Sequence, residues 1–176
     1  MKDVELKLIS ELMKNSRRSD RELAKTIGVS QPTASRMIKK LEKEGYIEEY
    51  TIIPNFPKLG FQMFTVVFTK MKKEISQDMI DKVRKGVREN EEKDPSPILM
   101  AMSGMGCDSD RVLVLLSEDY STYTEYIRMV RQYPLIEVGD IKSFTIDLRD
   151  KSQFLPLTLS SLARYLEKKA KTKKKN

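Results

Sequence analysis

Two helical patterns joined by a three-residue turn are the feature of this chain that most constrains its fold. Residues 19–27 begin with Ser19 and a glutamate three positions later, a pair that forms a capping box at the start of a helix. Residues 30–45 begin with Ser30 as a second cap and end at Gly45, which lets the chain leave the helix. Because residues 28–30 are so few, the two helices must meet at a steep angle. The segment predicts a helix-turn-helix.

The second of these helices has one face for packing and one that is left free. At 100° per residue, Ala34, Ile38 and Leu41 lie on the same side. The opposite side carries Pro32, Arg36, Lys39 and Lys43. A small helical packing module with solvated lysines is the alternative interpretation. The tight turn, and the small Ala24 and Ala34 where the helices approach each other, favour a helix that binds DNA.

A further helix and an extended segment complete this N-terminal part. Residues 4–13 form a first helix with a broad apolar face. Residues 46–53 are rich in aromatic and branched side chains and end at Pro54, which predicts a strand or small wing. We therefore expect a winged helix-turn-helix over residues 1–53. Pro54, Pro57 and Gly60 mark residues 54–60 as a linker.

The pattern changes at residue 61 from helical periodicity to strand-like runs. Strands are predicted at 61–69, 98–103, 112–117 and 138–148, and helices at 75–90 and 120–133. With right-handed crossovers, the order βαββαβ gives a ferredoxin-like domain over 61–149, in which both helices cover one face of an antiparallel sheet. The whole chain is thus of the α+β class.

The face of this sheet that the two helices leave open requires a packing partner. Apolar side chains occur on both sides of the first and third strands, which is more than a half-exposed sheet carries. A second copy of the domain is the economical cover, since most oligomers are symmetric homo-oligomers. The linker or the C-terminal segment is the alternative.

Residues 150–176 divide into two predicted parts. Residues 150–167 predict an amphipathic helix packed on the core or on a partner, and its apolar positions are Phe154, Leu155, Leu159, Leu162, Ala163 and Leu166. Residues 168–176 predict a disordered cationic tail, which either keeps the protein soluble or adds non-specific affinity for DNA.

Charge and composition limit the classes of function. The net charge is +7, and it divides into +3 for residues 1–60, −2 for 61–163 and +6 for 164–176. A polyanion partner is therefore expected at the two ends of the chain. The chain has no histidine and a single cysteine, Cys107, so we expect neither an enzyme nor a metal site nor a cofactor. No apolar run is long enough to span a membrane or to act as a secretory signal, and we expect a cytoplasmic protein.

The N-terminal residues and the following βαββαβ pattern together resemble the Lrp/AsnC, or feast/famine, family of transcriptional regulators. The residues that carry the likeness are Leu6-Lys7-Leu8-Ile9, Glu22-Leu23-Ala24, Gly28-Val29-Ser30, Thr33-Ala34-Ser35-Arg36 and Gly45-Tyr46-Ile47, with residues 50–60 similar to that family's linker. The resemblance implies DNA binding by the N-terminal part, homodimers that assemble further into tetramers or octamers, and frequent binding of an amino acid by the C-terminal domain.

Specific residues follow from this resemblance. The recognition helix supplies Ser30, Gln31, Pro32, Thr33, Ser35, Arg36, Lys39 and Lys40. Its early positions are expected to reach base edges, with Arg36 bidentate on guanine, whereas Lys39 and Lys40 are expected to meet phosphates. Exposed amides at the start of the preceding helix favour an anion, so Arg17, Arg18 and Arg21 are expected to clamp the DNA backbone.

The predicted effector loop follows the second strand and comprises Gly104, Met105, Gly106, Asp108 and Asp110. The family's Gly-x-x-Asp pattern is wider here by one residue, both between Gly104 and Asp108 and between Gly106 and Asp110. A glycine-permitted hairpin with solvated aspartates is the alternative interpretation.

Two other functions are compatible with parts of the sequence. An architectural protein would coat DNA through its N-terminal helix-turn-helix parts and its cationic C-terminal tails, with little sequence preference. A siroheme-decarboxylase-like enzyme would share the two-domain order, but the absence of histidine argues against it. The leading prediction is a sequence-specific regulator of transcription.

Overall fold

The structure is a computed structural model that describes residues 1–73, 76–90, 94–133, 137–152 and 155–172. The chain forms two compact units. One unit comprises Met1–Ile53 together with Phe154–Asn176, and the other comprises Pro54–Gln153. The elements in chain order are α1 (Asp3–Lys14), α2 (Asp20–Ile27), α3 (Gln31–Lys43), β1 (Met63–Met71), α4 (Gln77–Asn90), β2 (Ile98–Gly106), β3 (Ser109–Ser117), α5 (Tyr120–Arg131), β4 (Val138–Asp147) and α6 (Ser160–Thr172).

The first unit, called the head below, contains the predicted helix-turn-helix. Ser19 accepts from the backbone N–H of Glu22, whose side chain accepts in return from the Ser19 N–H, so the capping box is confirmed. Gly28 ends α2 with a φ of 80°, a left-handed conformation that a side chain disfavours. The helices bury a common apolar core, formed by Leu8, Leu12, Leu23, Ile27 and Leu41.

The predicted wing strand is absent. Residues 46–53 are described throughout and form no strand. An extended segment needs a partner strand to satisfy its backbone groups, and the described residues of the head form no other strand. Tyr50 lies against α3 instead, where its hydroxyl donates to Glu42 Oε1 at 2.9 Å.

The second unit confirms the ferredoxin-like order. Its four strands are antiparallel and lie in the order β2-β3-β1-β4. Val67 of β1 pairs with Leu113 of β3 and is fully buried. Tyr126 of α5 packs into the same cluster, together with Leu115. One face of the sheet therefore carries this domain's core.

The other face of the sheet is apolar and open. Its register places Val66 opposite both Val114 and Phe144, and Met100 opposite Val114. Phe144 is 66% exposed and Met102 is 60% exposed. We call this the open sheet face; the residues that the register assigns to it are Phe64, Val66, Phe68, Met100, Met102, Val112, Val114, Leu116, Phe144 and Ile146.

The second and third strands are longer than the sequence indicated. They continue to Gly106 and from Ser109, so only two residues, Cys107 and Asp108, form the turn between them. Both turn residues have positive φ, 50° and 55°, as a two-residue hairpin of type I′ requires. The alternation of apolar residues did not reveal these strand ends because they carry glycine, serine and aspartate.

The C-terminal helix differs from the prediction at both ends. It begins at Ser160 rather than near residue 150, because Pro156 cannot continue a helix begun before it. It continues to Thr172, so residues 168–172 are helical and not disordered, whereas residues 173–176 lie outside the described residues. Ala163 is fully buried and Leu166 half-buried, whereas Leu155, Leu159 and Leu162 are exposed and Phe154 lies outside the described residues.

The helix α6 packs along α1 and so belongs to the head. Among the described residues, no helix combines the length and the apolar composition that crossing a membrane requires.

Candidate nucleic-acid interface

The outer side of α3 carries exposed side chains, and the inner side holds the helix in place through buried ones. Ala34 and Leu41 on the inner side are fully buried. Arg36, Lys39 and Lys43 on the outer side are exposed. The Arg36 Nε donates to the Pro32 carbonyl at 3.3 Å, which orients the guanidinium along the helix. The outer side of α3 thus carries one planar guanidinium, which can donate two parallel hydrogen bonds, and two lysine ammonium groups. These groups suit base edges and phosphates.

The hydroxyl residues predicted on this helix are engaged within the head. Ser30 caps α3 by accepting from the Thr33 N–H at 3.4 Å, and the two hydroxyl oxygens lie 2.8 Å apart. Ser35 donates to a carboxylate oxygen of Asp20, the first residue of α2. Ser35 thereby fixes the angle between the two helices. Gln31 and Pro32 are exposed at the start of the helix.

The three arginines before α2 divide into two kinds. Arg17 and Arg21 are exposed, as a clamp on phosphate would need. Arg18 turns inward, where its guanidinium forms an ion pair with Glu11 and donates to the Thr26 hydroxyl at 2.8 Å. Arg18 therefore joins α1 to α2 in this structure.

Lys40 also makes contacts within the head. Its ammonium donates to Glu5 at 2.8 Å and lies 3.8 Å from Glu44. Hydrogen bonds from Lys40 and from the Lys2 backbone N–H hold the pKa of the buried Glu5 below its usual value. The same pairing raises the pKa of Lys40. Lys39, one residue earlier, is exposed.

Glu11 is the most heavily paired buried carboxylate of the head. Burial acts to raise its pKa, but hydrogen bonds from Lys14 and Arg18 outweigh burial and lower it. Lys14 Nζ lies 2.8 Å from Glu11 and is also paired with Glu167 of α6. Glu11 is thus ionised at neutral pH. It links α1 to Arg18, which lies just before α2, and through Lys14 it links α1 to α6.

The predicted effector loop is a regular hairpin whose two carboxylates already have partners. Asp108 pairs with Lys70 at 2.7 Å and with Lys142 at 3.7 Å. The hydrogen bond from Lys70 is the main cause of its lowered pKa. Asp110 accepts from the Met71 N–H at 3.2 Å. Met105 is fully exposed, and Gly106 adopts a φ of 142° at the strand end.

Sequence reasoning placed Lys43 on the outer side of α3 but omitted it from the predicted contacts. Its spacing of four from Lys39 and seven from Arg36 was the available signal. The buried Glu5 and Glu11 were missed altogether, although a glutamate between apolar core positions of an amphipathic helix requires a cationic partner. Of the described residues, no group of acidic, histidine and cysteine side chains is placed to hold a metal ion.

Comparisons with known proteins agree on the type of domain that the N-terminal residues of the head form. A sequence profile of winged helix-turn-helix DNA-binding domains matches residues 1–48. An uncharacterised HTH-type transcriptional regulator of Pyrococcus furiosus is 37% identical over 92 residues, which cover 52% of this chain and 60% of that protein. The HTH-type transcriptional regulator LrpC of Bacillus subtilis is 36% identical over 69 residues, 39% of this chain and 48% of LrpC. These matches span about half to two thirds of each relative.

Longer matches extend through both units. An uncharacterised HTH-type transcriptional regulator of Pyrococcus horikoshii, PH0061, is 28% identical over 150 residues, 81% of this chain and 95% of that protein. The crystal structure of PH0061 superposes with a TM-score of 0.69 at 26% identity and covers 90% of this chain and 97% of that one.

Two solved structures below 25% identity show the same fold. An AsnC family transcriptional regulator of Agrobacterium tumefaciens has a TM-score of 0.69 at 22% identity. The regulator NMB0573 of Neisseria meningitidis, in complex with L-Met, has a TM-score of 0.69 at 18% identity. Each covers 92% of this chain and 99% of its own.

Proposed function

We propose that this chain is a helix-turn-helix regulator of the Lrp/AsnC type that binds specific DNA sequences to regulate transcription, and its similarity to such regulators supports the proposal. The observation that carries the proposal is the outer side of α3, where Arg36, Lys39 and Lys43 stand exposed on a helix anchored by buried Ala34 and Leu41. A helix held on its inner side and cationic on its outer side can enter the major groove without losing its place in the fold.

Arg36 and Lys39 have different roles in this proposal. The Arg36 guanidinium can donate two hydrogen bonds to the edge of guanine, which carries sequence information. Lys39 meets phosphate, which carries none. Replacing Arg36 by Ala should cost about 1–3 kcal/mol on the preferred site and relax specificity there, whereas Lys39→Ala should weaken all duplexes about equally. Fluorescence anisotropy on a preferred and an unrelated duplex separates the two effects; a parallel loss for both variants on both duplexes contradicts this division.

Selection of bound fragments from a genomic DNA pool at physiological salt tests the function as a whole. We expect strong enrichment of a few sites. Their approximate two-fold symmetry would reflect two heads in one assembly. Uniform recovery of fragments would instead identify an architectural protein, since phosphate contacts alone give no sequence preference.

The open sheet face supports a homodimer as the binding unit. Ten apolar positions share this face by strand register, and Phe144 and Met102 are well exposed. An apolar surface of this kind marks a protein interface. Light scattering should give a dimer or a larger even assembly for the unmodified chain, and Phe144→Glu should shift it towards the monomer. Tyr120→Glu, at an aromatic of similar exposure on α5, is the matched control and should leave the mass unchanged.

Amino-acid binding at the β2–β3 turn stays a prediction. NMB0573 has been crystallised with L-Met, and L-methionine is therefore a suitable first probe. In this chain Lys70 must release Asp108 before that carboxylate can hold an α-ammonium group. Calorimetric titration with the common amino acids tests the site. Heat that disappears in Asp108→Asn supports it, and no heat with any amino acid removes it.

A further inference from the structure

The C-terminal helix α6 is built into the head, although it follows the sheet domain in sequence. Its Ala163 is fully buried, and α6 packs along α1. Helical spacing places Leu6 and Ser10 on the side of α1 away from Leu8, yet both are buried. We attribute their burial to α6. The first helix is therefore covered on two sides, by the helix-turn-helix and by α6.

A chain of polar contacts then ties α6 to α2. Glu167 of α6 pairs with Lys14, the last residue of α1. Lys14 pairs with Glu11, Glu11 pairs with Arg18, and Arg18 donates to Thr26 of α2. The contact between α6 and α1 thus occurs at the end of α1 from which the chain leads directly to Arg17 and Arg21.

The last residues of the chain carry the strongest local charge. Residues 164–176 have a net charge of +6, with six lysines between positions 168 and 175. The helix continues five residues past Glu167 to Thr172, a rise of about 7.5 Å. Lys169 is exposed in this segment. The docked helix therefore holds Lys169 close to the cationic end of α1.

Such a concentration of like charge repels itself and lowers stability unless an anion is bound nearby. The same region contains the start of α2, whose exposed amides favour negative charge, and the first helix of a helix-turn-helix crosses the DNA backbone. Phosphates of the DNA backbone are the anions that meet both requirements.

We propose that α6 is a second phosphate-binding element of the head, which holds Lys169 near the end of α1 that leads to Arg17 and Arg21, so that Lys169 contacts the DNA backbone outside the reach of α3. The proposal rests on the DNA-binding function proposed above and adds a separate site to it. The proposal depends on the docked position of the charge. Docking on α1 fixes where the charge acts, whereas a free tail would only raise the general attraction between the chain and DNA.

Salt dependence of DNA binding measures the contribution directly. Each phosphate contact on B-DNA contributes about 0.9 to the slope of log affinity against log salt, so Lys169→Gln should lower the slope by up to about 0.9. Ala163→Gln should detach α6 and lower the slope by a similar amount, although it leaves every charge of the chain in place. Leu162→Gln, at the exposed neighbouring position, is the matched control and should leave the slope unchanged.

The outcomes separate this inference from the function on which it rests. A slope unchanged in Lys169→Gln, in a chain that still prefers its own sites, overturns the inference alone. A slope that falls in the lysine variant but not in Ala163→Gln shows a tail that acts without docking, which also overturns it. No DNA binding by the unmodified chain overturns both proposals. Should Ala163→Gln fail to fold, Lys169→Gln decides, because Lys169 is an exposed position.

Discussion

Replacing Glu11 by Gln should loosen the head while leaving its shape unchanged. Glutamine has the same size as glutamate but no charge, so Lys14 and Arg18 lose their shared carboxylate. The Glu11 side chain is 9% exposed, and those of Lys14 and Arg18 are 34% and 26% exposed. The two ion pairs are therefore intermediate in burial between exposed surface pairs and fully buried pairs.

The exposures set the expected magnitude. Surface pairs contribute about 0–1 kcal/mol each, whereas removing one partner of a fully buried pair costs about 3–5 kcal/mol. We expect about 2 kcal/mol for Glu11→Gln, which is about a 30-fold change in the local opening equilibrium. The pKa of Glu11 lies below its ordinary value of 4.5 in the folded chain. Its contribution is therefore full above that value and is lost as pH falls through the folded-state pKa.

Amide hydrogen exchange read by peptide mass is the suitable assay, because it reports α1 and α2 separately from the sheet. Peptides of α1 and α2 should exchange faster in the variant at neutral pH, and peptides of β1 and β3 should not change. The difference should shrink in acid, where Glu11 of the unmodified chain is itself protonated. Glu44→Gln, which removes an exposed pair at 3.8 Å, is the control and should have little effect. Equal protection of α1 in Glu11→Gln and the unmodified chain at neutral pH would refute the reasoning.

Three further predictions concern local features of the head. Ser19→Ala removes the side-chain half of the capping box and leaves the Ser19 N–H bonded to Glu22; it should cost about 1 kcal/mol in thermal unfolding, and no change would mean that the Glu22 half caps α2 alone. Gly28→Ala meets no atom within 4 Å, so its expected cost of about 1–2 kcal/mol comes only from the left-handed backbone, and an unchanged melting temperature would contradict that. Burial and the hydrogen bond to Glu42 raise the pKa of Tyr50 to about 12, so in an ultraviolet titration of the phenols Tyr50→Phe should remove a late-ionising group.

The sequence predicted most of the fold because its signals are local. The caps at Ser19 and Ser30, the glycine at position 28 and the apolar spacing of α3 each act within one helix. The strand runs identified the sheet domain for the same reason, since strands with apolar side chains on both faces appear in a sequence as nearly continuous apolar runs. The strand predicted at residues 46–53 is absent because a strand depends on a partner that no local pattern specifies.

The sequence indicated which positions of α3 are exposed but not which of the neighbouring cations form ion pairs within the head. Periodicity gave the exposed positions of Arg36 and Lys39 correctly, because the inner side of α3 is fixed by Ala34 and Leu41. It could not show that Lys40 pairs with Glu5, a residue 35 positions away. A cation looks the same in a sequence whether it faces solvent or a buried carboxylate.

What the sequence by itself determined is therefore the set of helices and strands, their order and the cationic side of α3, because backbone propensity and apolar spacing act over a few residues. Only the tertiary structure decided which cations stay free. Arg18 and Lys40 turn to buried carboxylates of α1, and Glu167 meets Lys14 across 153 positions of sequence to hold α6 on the head. Such pairs depend on which surfaces pack together, since a buried charge is stable only where a distant partner is brought to it.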